Sequence, residues 1–368
     1  MHTVLQYKEV NEALLRTPNS GGFQLLGLAD FPGQGSAFVG ILDAFWDSKG
    51  LVSPEKYRES CAPTVLLARM PKRAYVAGET FRAKMEIYHY GQYPLKRGKL
   101  KWELKDEQGT AIISGSISTP AVPCATLDSL GVITIPLQDI TKAQKLTLHT
   151  TLDGKYHNEW DIWAYPEVQE TASGDFVYAR TYNAEVKQAL AQGKNVLLVP
   201  EQLKGRKTKF ASHFWNPIMF NWDPMIVGTL IDSDHPAFSN FPTDSYADWQ
   251  WWDILNYAAD MELDELRNVT PVIQSVDTYE HNHKLGIAFE ARVDKGSLFV
   301  LNVDIDKDAA TRPAMRQLLY SVQKYVASDA FRPEVSIQPY QLDALFDNTV
   351  KQDKGTSENA AVKQLLNQ

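Results

Sequence analysis

The sequence predicts a multidomain protein of mixed class, α/β at both ends with an all-β domain between them. Three observations carry this reading. An almost continuous apolar run, "FQLLGLADF", lies between two segments with helix signals. Apolar and polar residues then alternate in short runs from Leu66 to Tyr165. Beyond Glu167, short apolar strands alternate with capped amphipathic helices, the pattern of a sheet covered by helices.

The first segment, residues 1–65, reads as helix, strand, polar loop and helix. Val4, Tyr7, Leu14 and Leu15 fall near one helical face, Lys8, Glu9, Asn11 and Glu12 fall mostly elsewhere, and "TPNSGG" ends the helix. "FQLLGLADF" is apolar enough for a strand of a parallel sheet covered on both faces, and it runs into Asp30 and "PGQG". Ser53 is placed to cap a helix that opens with Pro54. Such a βα unit is the repeat of an α/β barrel, and one repeat cannot close a barrel.

Residues 66–166 predict an antiparallel β-sandwich of immunoglobulin-like size. In "KLKWELKD" Leu100, Trp102 and Leu104 point one way, Lys101, Glu103 and Lys105 the other. Residues 167–341 predict an α/β domain with a mostly parallel sheet. "GDFVYARTY" is a strand, "NAEVKQALAQGK" a helix from an Asn cap to Gly193, and "NVLLVPE" a fully apolar strand. Further on, "HKLGIAFEARVDKGSLFVLNVDI" suggests an antiparallel pair across "DKG", and "RPAMRQLLYSVQKYVAS" an amphipathic helix opening at Pro313. Residues 342–368 form a polar tail.

Composition narrows function. A chain of 368 residues with 44% hydrophobic and 11% aromatic content can build a core for two or three domains. The net charge of −8 argues against nucleic acid or an anionic membrane as partner, since both require concentrated Lys and Arg. No apolar run approaches the ~20 residues of a membrane helix, and "MHTVLQYKEVNEALLR" has no signal-peptide apolar region. Cys61 and Cys124 define neither a disulfide framework nor a metal motif.

The stretch "GGFQLLGLADFPGQGSAFVGILDAFWDSKG" resembles the C-terminal part of bacterial family 2 glycoside hydrolases of the β-galactosidase-like type. The resemblance implies that "GFQLLGLADF" is the last strand of the catalytic TIM barrel and "SPEKYRES" its closing helix. It extends, through "LLVPEQLKG", "DSDHPAFSNFPTDSYADWQWWDI" and "RPAMRQLLYSVQKYVAS", into the accessory region of such enzymes. It implies hydrolysis of terminal β-linked sugars by a retaining mechanism, an exported parent enzyme and no cofactor. It also implies that the acid/base and the nucleophile, roughly 5 to 5.5 Å apart in retaining enzymes, lie upstream of Met1. This chain alone is therefore expected to be inactive, with a carbohydrate substrate reached through an upstream barrel polypeptide or a homo-oligomeric partner.

On that resemblance the substrate-facing residues are Gln24, Asp30, Phe31, Gln34 and Trp46, at the C-terminal end of the strand and in the following loop, where barrel active sites form. Each has an alternative role. Asp30 suits hydrogen bonds to loop amides, Gln24 a bond between strands, and Trp46 packing between barrel and sandwich. Leu26 stands where many relatives carry the Trp floor of the first sugar subsite. Ala37, Phe38 and Val39 stand in place of the Asn-x-Lys by which related glucuronidases hold a carboxylate, which argues against uronic acids.

Other constellations are weaker. Trp215, Trp222, Trp249, Trp251 and Trp252 cluster in the third domain and serve either as sugar platforms or as core. That domain is also similar to glutamine-amidotransferase-like (flavodoxin-like) folds, but no Cys follows Cys124 to act as nucleophile. "HNH" at His281 to His283, and Asp232, Asp234 and His235 in "DSDHP", do not by themselves supply the three or four ligands of a metal site, so no metal is expected. The rival reading is a noncatalytic carbohydrate-binding or subunit-assembly module.

Overall fold

The computed structural model describes residues 1–33, 38–138, 140–167, 174–210, 226–278 and 281–347. The protein is multidomain and mostly β, with a few helices over several mixed and antiparallel sheets. It divides into two units, Met1–Phe31 with Phe38–Val168, and Pro32–Ala37 with Gln169–Gln368.

In the first unit, helix α1 (His2–Leu15) buries Val4, Asn11, Glu12 and Leu15. Two of these, Asn11 and Glu12, lie mostly off the apolar face that the sequence predicts. Glu12 is buried because it has partners: Trp160 Nε1 and Asn158 Nδ2 donate to it at 2.8 and 3.0 Å, and Lys8 pairs with it one turn earlier. A short helix, α2 (Pro54–Arg58), is capped by Ser53, whose hydroxyl accepts from the Lys56 amide at 3.2 Å, as the sequence predicts.

The alternating region forms β1 (Thr64–Arg69), β2 (Ala74–Val76), β3 (Thr80–His89), β4 (Gly98–Lys105), β5 (Ala111–Thr119), β6 (Thr126–Pro136), β7 (Gln144–Leu152) and β8 (Tyr156–Tyr165). They make one sheet ordered β1-β3-β6 and a second ordered β2-β8-β7-β4-β5. All pairs are antiparallel except β2 with β8. Period two sorts the side chains. Leu66 and Ala68 join Phe81, Met85, Leu100, Leu148 and Ile162 in one apolar core, while Val65 and Leu67 face the other way and meet Leu15 of α1 and Tyr88. Strand β1 is therefore buried on both sides, which explains its unbroken apolar run "VLLA".

The expected barrel strand is not formed. Residues 23–31 contain no strand, and no barrel is present among the described residues. Ala29 bridges Leu42 in parallel, and the Leu28 carbonyl accepts from the Ile41 and Leu42 amides, both at 3.0 Å. A strand of a parallel sheet needs strands on both edges to satisfy its amides and carbonyls. Among the described residues no named strand runs beside this segment, and the apolar run takes an irregular path.

The second unit contains β9 (Phe176–Ala179), α3 (Ala184–Ala191), β10 (Asn195–Leu198), β11 (Arg206–Lys207), β12 (Gly228–Ile231), α4 (Trp252–Leu255), β13 (Ala259–Glu262), β14 (Ile273–Val276), β15 (Leu285–Gly286), β16 (Ala288–Val293), β17 (Gly296–Leu301), α5 (Pro313–Val326), β18 (Ser336–Ile337) and α6 (Pro339–Phe346). Asn183 caps α3 through its side chain and Gly193 follows it at φ 86, as the sequence predicts. The main sheet runs β12-β14-β16-β17-β10-β9, with β18 beside β16. It is mixed rather than mostly parallel. β9, β10 and β17 run parallel, but β16 and β17 are joined by a hairpin at Asp294 (φ 53), and β12, β14 and β16 pair antiparallel. A tight hairpin forces antiparallel pairing, whereas a crossover helix such as α3 permits parallel pairing. Helices cover both faces. Val186 and Leu190 of α3 pack with Val196, Leu198 and Val300, while Tyr325 of α5 meets Phe299 edge-on at 6.1 Å. A smaller sheet, β11-β13-β15, lies apart from it in hydrogen bonding. Helix α6 buries Leu342 and Phe346, so the folded region runs past the boundary expected at residue 341.

Candidate functional site

Residues 21–33 and 38–50 are organised by side-chain to backbone bonds rather than by a sheet. Asp30 accepts from the Gly40 amide at 2.8 Å and from Lys49 Nζ at 2.7 Å, and the same ammonium reaches the Gly40 carbonyl at 2.9 Å. The two chain segments touch so closely that a Cβ on Gly40 would meet the Asp30 nitrogen at 2.4 Å and the Leu42 oxygen at 2.6 Å. Asp30 thus ties the loop together, the first of the two roles open to it in the sequence.

Downstream, Asp43 builds a tight tip. Its Oδ1 accepts from the Phe45 and Asp47 amides, both at 2.9 Å, its amide donates to the Asp47 carbonyl, and its carbonyl accepts from the Trp46 amide. Trp46 is held at φ 71, a left-handed conformation that costs an L-residue about 1 kcal/mol or more. The geometry turns both aromatic rings outward, with Phe45 86% and Trp46 67% exposed. Leu26, Leu28, Phe31 and Phe38 are also exposed.

The residues singled out from the sequence therefore share one segment but have different surroundings. Asp30 is engaged internally, Gln24 and Phe31 are exposed, Trp46 is displayed at the tip, and Gln34 lies outside the described residues. Trp46 does not pack between two bodies within its own unit.

The second unit holds a cavity of about 320 Å³ beyond the C-terminal ends of β9 and β10, lined by Arg180, Tyr182, Glu201, Gln202, Lys204 and Phe346 among others. Ligands of open α/β sheets bind outside the carboxyl ends of the strands. Burial works to lower the Arg180 pKa, but its bidentate pair with Asp306, at 2.6 and 3.3 Å, and the neighbouring Tyr178 outweigh it and hold the group above its ordinary value. Burial, reinforced by Asp343, pushes the Tyr182 phenol up. The lining offers aromatic faces with charged and amide groups, a set suited to a small polar ligand.

The tryptophans divide. Trp251 is fully buried, donates from Nε1 to Thr243 at 2.9 Å and packs edge-on against Phe241, so it is core. Trp249 packs on Phe210 at 5.1 Å, and Trp252 is half exposed beside them. Trp215 and Trp222 lie outside the described residues.

His235 of "DSDHP" belongs to the packing. Its Nδ1 accepts from the Ala237 amide, and its ring meets Tyr325 edge-on at 5.1 Å. His283 is different. Its Nδ1 lies 2.6 Å from Asp264 Oδ2 and 2.8 Å from Glu262 Oε1. The bond to Asp264, opposed by slight burial and aided by Glu262, holds the imidazole pKa above 6.5. Nothing in the motifs around "HNH" points to these two carboxylates. The available signal was the alternation in "MELDEL", which puts residues 262 and 264 on one side of an extended chain.

A domain of unknown function (DUF8487) matches residues 177–347, and a second domain of unknown function (DUF8488) matches residues 79–166. No curated protein matches the chain. Among solved structures, the alkylpurine DNA glycosylase AlkC of Pseudomonas fluorescens is 9% identical with a TM-score of 0.23, over 28% of this chain and 31% of that one. This chain thus spans under a third of the AlkC length. The CARDB domain of the PF1109 protein from Pyrococcus furiosus is 8% identical with a TM-score of 0.22, over 28% of this chain and 94% of that one. A β-glucosidase from Listeria innocua is 9% identical with a TM-score of 0.21, over 28% of this chain and 16% of that one. Likeness at this level carries no argument about function.

Proposed function

We propose that this chain is the noncatalytic C-terminal portion of a β-galactosidase-like family 2 glycoside hydrolase, and that it completes the sugar-end rim of a catalytic barrel. The observation that carries the proposal is the display of Leu26, Phe38, Phe45 and Trp46, between 60% and 86% exposed, on a segment tied in place by Asp30 and Asp43. Scattered exposed apolar residues are ordinary, but several large ones on one constrained segment mark an interaction surface. The stretch "GFQLLGLADF" that resembles the last barrel strand lies in that segment. On this reading the neighbouring barrel strand pairs with residues 23–31, covers their apolar side chains and brings the acid/base and nucleophile. Asp30 then orients the rim through Lys49 and Gly40, and Trp46 lies beside the sugar.

The sandwich is, on the same reading, the immunoglobulin-like domain of that architecture. The second unit is its amidotransferase-like accessory domain, supported by the parallel β9, β10 and β17 between α3 and α5. With no Cys after Cys124, that likeness is one of fold and not of chemistry.

The test mixes the purified chain with a separately expressed catalytic barrel of a family 2 β-galactosidase. It reads association by sedimentation velocity and turnover with an aryl β-galactoside. The chain alone should give no turnover, should bind the barrel, and should lose that binding on Phe45→Ala with Leu26→Asp. Hydrolysis by the chain alone, or a monomer indifferent to the barrel, overturns the reading. Saturable galactose binding at Trp46 without a barrel favours the carbohydrate-binding alternative.

A further inference from the structure

We propose that Glu262, Asp264 and His283 form a binding site for a divalent first-row transition cation of the zinc class. The proposal does not depend on the glycosidase reading. One oxygen from each carboxylate and the imidazole Nδ1 all lie within 4.8 Å of one another.

The convergence is on a single atom. Asp264 Oδ2 and Glu262 Oε1 both approach His283 Nδ1, at 2.6 and 2.8 Å. That nitrogen carries at most one proton, so the proton serves two anionic oxygens at once. A divalent cation in its place would satisfy all three lone pairs. The imidazole also sets the chemistry: Mg and Ca prefer all-oxygen shells, while nitrogen with carboxylate suits Zn and its neighbours.

Two extended segments hold the donors. Glu262 ends β13, whose register sets Glu262 opposite Leu285 and Met261 opposite Gly286. The Leu263 amide donates to the Lys284 carbonyl at 2.7 Å, and the Lys284 amide donates to Asp264 Oδ1 at 2.8 Å, leaving Oδ2 turned to His283. The His283 amide is in turn held by Asp277 Oδ2 at 3.0 Å, and Asp277 is fixed by Arg206 at 2.9 Å. The Lys284 ammonium is bonded to the Leu266 and Arg267 carbonyls. Ligand orientation by such outer bonds is what metal sites require.

The fit needs a small adjustment. Tetrahedral zinc with bonds of about 2.0 Å separates its ligand atoms by about 3.3 Å, so Asp264 must retreat from the imidazole by about 0.7 Å and Glu262 by about 0.5 Å. Both are surface side chains, 56% and 45% exposed, with room to do so. The fourth position is open to water or to His281, whose ring centre lies 6.1 Å from that of His283.

Isothermal titration of the full chain with zinc chloride, and absorption spectra with cobalt(II) chloride, test the site. The expected result is one saturable equivalent, proton release on binding, and the intense visible bands of four-coordinate cobalt. His283→Ala should weaken that equivalent by at least about tenfold, and Asp264→Asn should do the same while keeping side-chain volume. His157→Ala, at an exposed histidine of the first unit, should leave it unchanged. Circular dichroism establishes that each variant is folded. No saturable equivalent in the folded wild type overturns the proposal, as does an equivalent that survives in both site variants.

Discussion

Removing the carboxylate of Glu12 should loosen α1 from the sandwich and, with it, the segment that displays the exposed rim. Glu12 is completely buried and receives Trp160 Nε1, Asn158 Nδ2 and Lys8, with Arg16 3.8 Å away. Glu12→Ala leaves these donors facing a void. Each unsatisfied buried donor costs about 1 to 3 kcal/mol, and breaking a buried ion pair from one side costs about 3 to 5 kcal/mol. The terms overlap, so the expected loss is about 3 to 5 kcal/mol, a large part of the stability of an ordinary domain. Glu12→Gln keeps an acceptor and should lose less. The pH dependence has a fixed sign. Burial works to raise the Glu12 pKa, but Lys8, Trp160 and Asn158 outweigh it and hold the group below 4.5. The contribution of its charge is therefore complete above pH 4.5 and lost as pH falls through the lowered value. Urea unfolding with amide hydrogen exchange resolved over α1 measures both effects. Glu12→Ala within about 1 kcal/mol of wild type, or a gap to Glu12→Gln that widens on acidification, refutes the account.

Other outcomes follow from the same geometry. Burial pushes Asp253 up to about 6 against the pull of Arg312 and Arg316, so its charge is a cost above that pH that disappears as pH falls toward 3.8. Asp253→Asn should stabilise the second unit by about 1 to 2 kcal/mol at pH 8, after discounting for residual solvent contact, and by nothing near pH 4 in urea titrations. Gly40→Ala should destabilise residues 28–48 by about 1 to 3 kcal/mol, read as faster amide exchange there, because the new Cβ meets only backbone atoms below 3.0 Å. Trp46→Gly should relieve the left-handed strain and slow exchange at the tip by the equivalent of about 1 kcal/mol, yet weaken association with a barrel. A variant that lowers both stability and association would show that Trp46 is structural.

Legibility in the sequence followed the range of the interaction. Ser53 and Asn183 cap helices because each side chain bonds an amide three residues on, and that spacing is visible in any sequence. The alternation in "KLKWELKD" survives because β4 has one buried side, and Leu100 and Leu104 are indeed core. "FQLLGLADF" misled because an apolar run records that burial is wanted without recording what supplies it. Glu12 misled in the opposite sense, since its burial depends on Asn158 and Trp160, some 146 and 148 positions away. The cluster around His283 was half legible. Residues 262 and 264 share a side by periodicity, but only the pairing of β13 with β15 brings the imidazole to them.

By itself, then, the sequence determined the helix caps, the extent of the alternating strands and the hairpin at "DKG", all consequences of steric and hydrogen-bond rules acting over a few residues. Tertiary structure alone decided that the sheet of the second unit is mixed, that residues 23–31 form no strand, with Leu26 and Phe31 displayed while Phe23 packs on the cluster around Leu15, and that Glu12 lies in the core. Those outcomes depend on which distant groups satisfy a backbone edge or a buried charge, and that choice is made by packing in three dimensions.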